Sequence, residues 1–203
     1  EGLELDHPEE LDAPPGIPVV MAGPPCSRFS TVGCDQDPGV RAAVNYLVAL
    51  GHRTVHFVSG PDNSRQAAVR RRAWQECVEA NGCEIPDVIK GDWTASSGRN
   101  AARYLRAAGA TAVLASNDEM AAGVIVGLFD MGVRVPDDMS VVGFDDVLGS
   151  VVWPTMTAVR QDFTAIGQRL AEELLAQLQG VPKKSVMVPA PLVVRGSTAP
   201  PQH

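Results

Sequence analysis

Long apolar runs are missing from this 203-residue chain. No window of about 18 uncharged apolar residues occurs, so no membrane partner is expected. A surplus of positive charge is missing too. Lys and Arg number 17 against 24 Asp and Glu, and the net charge of −7 argues against direct nucleic-acid binding by these residues, since phosphate contacts need a concentrated positive surface. The densest basic cluster, Arg70 to Arg72, points in different directions on a helix. The four cysteines, Cys26, Cys34, Cys77 and Cys83, form no CxxC pair, and His7, His52, His56 and His203 are scattered. No metal site is therefore expected, and reduced thiols in a cytoplasmic protein are the default reading. GxGxxG, the phosphate-binding GxxxxGKS and GxxxxGKT, HExxH and GxSxG are absent, and no spacing pairs a nucleophile with a base. Neither an enzyme nor a cofactor is expected, and a glycosidase reading of the carboxylates near Asp145 has no other support. The acidic start, residues 1–16, is no signal peptide and reads as weak helix or loop.

What is present is ordinary globular material, 45% apolar and 20% charged, in a length that suits one large domain or two small lobes. Strand-like apolar runs (17–22, 31–34, 55–58, 87–90, 112–115, 141–142, 157–160, 186–188 and 192–195) alternate with helical patterns. Asp37 followed by Pro38 reads as a helix start. Further helices are expected over 64–80, 98–108 and 163–179, the last with Ile166, Leu170, Leu174 and Leu178 along one face. The alternation predicts a doubly wound α/β fold. Its centre is the stretch from Thr111 to Asp146, a strand-helix-strand unit in which Ser116 and Glu119 have capping-box spacing and Gly132 ends the helix. A right-handed crossover makes both strands parallel, so Asn117 and Asp145 share the sheet edge at which small ligands bind.

Each candidate has a plainer alternative. Asn117 can offer a ligand a donor and an acceptor at once, or can only cap its helix. A carboxylate at Asp145 can accept hydrogen bonds from ligand hydroxyls, whereas Asp146 better fits a turn-stabilising role. Arg70 has five fixed donors to grip a hydroxyl pair, although Arg71 and Arg72 read as solvated. Trp93, in a loop of small polar residues, suits stacking on a sugar or a base, or packs under its own loop.

Seven blocks in register carry a family resemblance: VALGHRTVHFVSGP, RRRAWQE, GDWTASSG, VLASNDEMAAG, LFDMGVRVPDDMSVVGFDD, TAVRQDF and LVVRGST. Together they resemble the effector-binding domain of the lactose-repressor and galactose-repressor family of bacterial transcription regulators, over nearly everything from Ile17 to Thr198. The resemblance implies two α/β lobes of the periplasmic-binding-protein type, joined by three crossing strands around a small effector. It implies effector contacts at Arg70, Trp93, Asn117, Asp145 and Gln161, and adds Cys34, whose position often faces the effector. A small thiol there in place of a ring would reshape the pocket.

The family also begins with a helix-turn-helix, a hinge helix and further strands, which have no counterpart here. The chain is therefore expected to be an N-terminally truncated piece of a longer regulator. Residues 1–34 and 163–188 would form an incomplete N-terminal lobe, and 35–162 and 189–199 the C-terminal lobe. The expected function is binding of a sugar-like effector, with lobe closure controlling operator binding by a DNA-binding head absent from this chain. A homodimer is the expected assembly. The alternative is a periplasmic sugar receptor of a membrane transporter, which shares the fold.

Overall fold

The computed structural model describes residues 11–14 and 16–202, so the acidic segment 1–10 lies outside the described residues. Among the described residues two sheets are present. The smaller is parallel, in the order β1-β2-β8: β1 (Val20–Ala22), β2 (Ser30–Asp35) and β8 (Ser185–Pro189). The larger has six strands in the order β4-β3-β5-β6-β7-β9. They are β3 (His56–Ser59), β4 (Ile89–Lys90), β5 (Ala112–Ala115), β6 (Ser140–Asp145), β7 (Thr157–Arg160) and β9 (Leu192–Val193). Only the β7–β9 pairing is antiparallel. The expected doubly wound α/β architecture is therefore what forms, in two lobes of unequal size.

The central strands are buried on both faces, which is why they read as continuous apolar runs. Alternate residues serve opposite layers. Phe57, Leu114, Val142 and Phe144 join the core under α1 (Gln36–Ala49) and α2 (Arg65–Ala80). Val58, Val113, Ala115 and Val141 join the core under α3 (Ala95–Ala107) and α4 (Asp118–Asp130). Trp74 is fully buried, stacks on Phe57 at 5.0 Å, and donates from Nε1 to the Val55 carbonyl at 2.8 Å. The chain crosses between the sheets three times: after β2, after β7, and between β8 and β9. No helix among the described residues is long and apolar enough to cross a membrane.

Several boundaries differ from expectation. Helix α1 begins at Gln36 after Asp35, and Asp37 binds Arg41 one turn on at 2.6 Å instead of capping. Pro38 still falls in the first turn, where its missing N–H has no intrahelical partner to lose. Helix α3 begins at Ala95, three residues early, because the Thr94 hydroxyl accepts from Ser97 N–H. Ser116 does not cap α4. Its own N–H still pairs with the Val58 carbonyl at 2.9 Å, so the helix cannot start until Asn117.

Helix α5 (Phe163–Leu178) packs against the small sheet with Ile166 and Leu170, while Leu174 and Leu178 are exposed. A four-residue step overshoots a helical turn by about 40°, so the expected stripe winds off the sheet within two steps. Glu173 takes the inward place, bound to Ser30 Oγ at 2.9 Å and facing Lys184 at 3.6 Å.

Candidate functional site

The site lies at the carboxyl ends of the large sheet, where the crossing segments leave it. Burial of the strands fixes the tips: β5 delivers Ser116 and Asn117, β6 delivers Phe144 and Asp145, and β3 leads through Gly60 to α2 with Arg70. The loop after β4 carries Trp93. Trp93, Asp145 and Asp146 have φ of 73°, 98° and 61°, a left-handed conformation that side chains with a Cβ adopt only when surroundings impose it.

Arg70 is the centre of the constellation. It is 2% exposed, its guanidinium lies 3.7 Å over the Phe144 ring, Nε donates to Gln36 Oε1 at 2.6 Å, and NH1 donates to the Ser116 carbonyl. NH2 stands 3.6 Å from Asp145 Oδ1, and that same oxygen accepts from Gln161 Nε2 at 2.5 Å. The Trp93 ring centroid is 5.7 Å from the guanidinium carbon. Burial raises the Asp145 pKa above the usual carboxylate range, against the pull of Arg70 and the Gln161 amide, with Glu119 adding to the rise. The Cys34 thiol is pushed up to about 12 by burial, with Arg70 opposing and Asp145 and Asp35 reinforcing. The thiol is therefore a small neutral group beside Arg70 and Asp145.

Asn117 serves its helix and its neighbour. Oδ1 accepts from Met120 N–H at 2.9 Å, and Nδ2 donates to the Trp93 carbonyl at 2.9 Å, so the amide fixes the left-handed loop that bears the ring. Its remaining contact, to Glu119 Oε2, is long at 3.4 Å. Trp93 is half-buried, with its ring laid over Gly60, where any Cβ would collide with it. Asp146 is not a turn stabiliser. Its buried carboxylate accepts from Arg195 at 2.6 and 2.9 Å and from Arg160 at 2.6 Å, and these bonds hold its pKa down against burial. Arg71 is partly exposed and Arg72 exposed, pairing loosely with Asp62 and Glu76 respectively.

All six residues singled out in the sequence fall in this one region, around Arg70 and Asp145. Reading the sequence missed Gln36, Phe144 and the Ser116 carbonyl. Strand alternation carried a signal for Phe144, since it shares the sheet face that packs α2. Gln36 carried none beyond following a strand. An open groove of about 1230 Å3 lies elsewhere, at the amino end of β3, lined by Arg53, His56, Glu84, Lys90 and Tyr104. It holds none of these groups. Among the described residues no three His, Cys, Asp or Glu side chains gather as metal ligands.

The family model of the periplasmic binding protein-like domain matches residues 44–198. The chain is 36% identical over 169 residues to the lactose operon repressor of Escherichia coli (strain K12), covering 81% of this chain and 47% of that protein. The solved structure of a dimeric Lac repressor with a C-terminal deletion superposes with a TM-score of 0.87 at 32% identity, over 93% of this chain and 71% of that one. A complex of the transcriptional regulator CelR with cellobiose gives a TM-score of 0.83 at 32% identity, over 90% of this chain and 59% of that one. The chain spans about half the length of the curated relatives it matches.

Proposed function

The chain belongs to the periplasmic binding protein-like family, in the branch of the lactose operon repressor, and from that premise we propose that it is the effector-binding part of a DNA-binding transcriptional regulator. The observation that carries this reading is the convergence of Arg70, Asp145 and Gln161 where the two lobes meet. Residues 1–34 with 163–188 are assigned to one lobe and 35–162 with 189–199 to the other, a division that the two sheets support for the described residues.

The effector is a neutral sugar or sugar derivative. Its hydroxyls take the carboxylate of Asp145, the amides of Gln161 and Asn117 and the guanidinium of Arg70, while the Trp93 ring covers an apolar C–H face and Cys34 leaves room beside it. A ligand touching both lobes favours their closed arrangement, and can shift that equilibrium only by its difference in affinity for the two states, typically ~1 to 3 kcal/mol. Closure then alters how two copies of the chain sit together, and with them the DNA-binding heads of a repressor. The protein works in the cytoplasm, as a homodimer, without chemistry of its own. That the similar proteins are repressors and regulators favours this over the transport-receptor reading.

Calorimetry against cellobiose, ribose and a panel of neutral sugars tests the site. The unaltered chain binds at least one of them, and Arg70→Ala or Asp145→Ala abolishes the heat with little change in the folded state. Unchanged affinity in both variants would remove the site.

A further inference from the structure

Two glutamines occupy corresponding places in the chain. Gln36 is the first residue after β2 and Gln161 the first after β7, so each stands where the polypeptide leaves one sheet for the other lobe. Gln36 is 5% exposed and accepts from Arg70 Nε at 2.6 Å. Gln161 donates to Asp145 Oδ1 at 2.5 Å, and Arg70 NH2 faces that oxygen at 3.6 Å. The result is a continuous polar path from one crossing segment through Arg70 and Asp145 to the other.

We propose that Gln36 is a positioning residue, which sets the rotation of the Arg70 guanidinium and ties it to the first crossing segment. Phe144 fixes the plane of the guanidinium and the Ser116 carbonyl takes NH1, but both belong to the large lobe. Gln36, the residue at which the first crossing segment enters α1, is the contact delivered by that segment, so it sets where Arg70 Nε–H points. A neutral amide suits this role. It accepts a charge-assisted hydrogen bond without competing with Asp145 for the positive charge.

This role rests on the binding site proposed above, but its test needs no ligand. In the unaltered, unliganded chain, the Arg70 Nε–H resonance exchanges slowly with solvent. Gln36→Met, which keeps the shape and removes the acceptor, speeds that exchange by roughly tenfold or more, the factor expected for losing one hydrogen bond to a charged group. It also moves the side-chain amide resonances of Gln161, at the far end of the path. Gln36→Glu restores an acceptor and keeps Nε–H exchange slow. A role confined to starting α1 would leave both side-chain signals unmoved.

Rapid Nε–H exchange in the unaltered chain overturns the proposal, as does slow exchange in Gln36→Met or loss of protection in Gln36→Glu. Should Gln36→Met fail to fold, the unaltered chain and Gln36→Glu still decide. If no sugar binds, the effector reading fails while these signals stand. If sugars bind and the signals behave otherwise, only the role of Gln36 is lost.

Discussion

Asp118 is buried next to the site, with Oδ2 accepting from Leu148 N–H at 2.8 Å and Oδ1 without a partner. Burial, reinforced by Asp145 and Asp146, pushes its carboxyl up to about 6 from the ordinary 3.8. Between those values the folded chain holds a proton that the unfolded chain has released, so this group's contribution to stability falls as pH rises through the window. Asp118→Asn removes that dependence. The stability of the unaltered chain relative to the variant drops by about 1–3 kcal/mol between pH 4 and 7.5, read from urea unfolding. His52 and His56 titrate the other way, since burial lowers both and their protonation at low pH opposes folding. They are common to both proteins and cancel in the difference. The residue scale is also where the sequence is only half readable. Asn117 and Asp145 could be picked out because each stands at the end of an apolar strand, and Arg70 because its helix follows the loop that ends β3. The partner of Arg70, by contrast, lies 34 positions away in Gln36, and the two arginines that claim Asp146 lie 14 and 49 positions away. No local pattern encodes such pairings.

Elements were legible where propensity and burial agree. The strand Thr157–Arg160 and the helix beginning after Ser64 fall as the sequence indicates, because their caps and apolar periods point to one answer. The starts of α3 and α4 were misread where neighbouring residues compete to cap, and tertiary pairing of Ser116 decided one of them. Helix packing is another property that a pattern of apolar residues does not reveal. Helices α3 and α4 approach so closely that a Cβ on Gly98 would collide with the Met120 carbonyl, and one on Gly123 with the Ala95 carbonyl. These are backbone atoms of the neighbouring helix, which cannot swing aside as a side chain would. Gly98→Ala is expected to destabilise the chain by at least about 2 kcal/mol. Gly167→Ala in α5 meets nothing within 4 Å and gains by up to about 1 kcal/mol, since alanine loses less freedom in a helix. Thermal or urea unfolding of the two variants separates close packing from simple helix propensity. Equal effects would mean that α3 and α4 can part at little cost.

At the scale of the whole molecule, two lobes of the expected type were legible through the family blocks, but the exposed apolar surface was not. Exposed apolar residues look in sequence like any others. Here Val126, Phe129 and Trp153 stand out from α4 and from the loop between β6 and β7, with Phe129 80% and Trp153 87% exposed. With Ile125, Val133, Val135 and Pro154 they line a hollow of about 410 Å3. The loop that carries Trp153 starts at Asp145 and is held from beneath by Asp118, so the face adjoins the candidate site through one short segment. A second copy of the chain seated on this face would feel a displacement of Asp145 within a few residues, as an effector-controlled dimer requires. Burying a charge in the centre of such a contact removes an apolar anchor and leaves the charge unpaired, together costing about 2 kcal/mol or more. Phe129→Glu is therefore expected to weaken self-association by about 30-fold or more in sedimentation velocity, while cellobiose or any other sugar that binds the unaltered chain still binds the variant. Association unchanged by Phe129→Glu and by Trp153→Asp would move the dimer contact to another surface. Loss of sugar binding along with it would instead show that the face and the cleft fold as one unit.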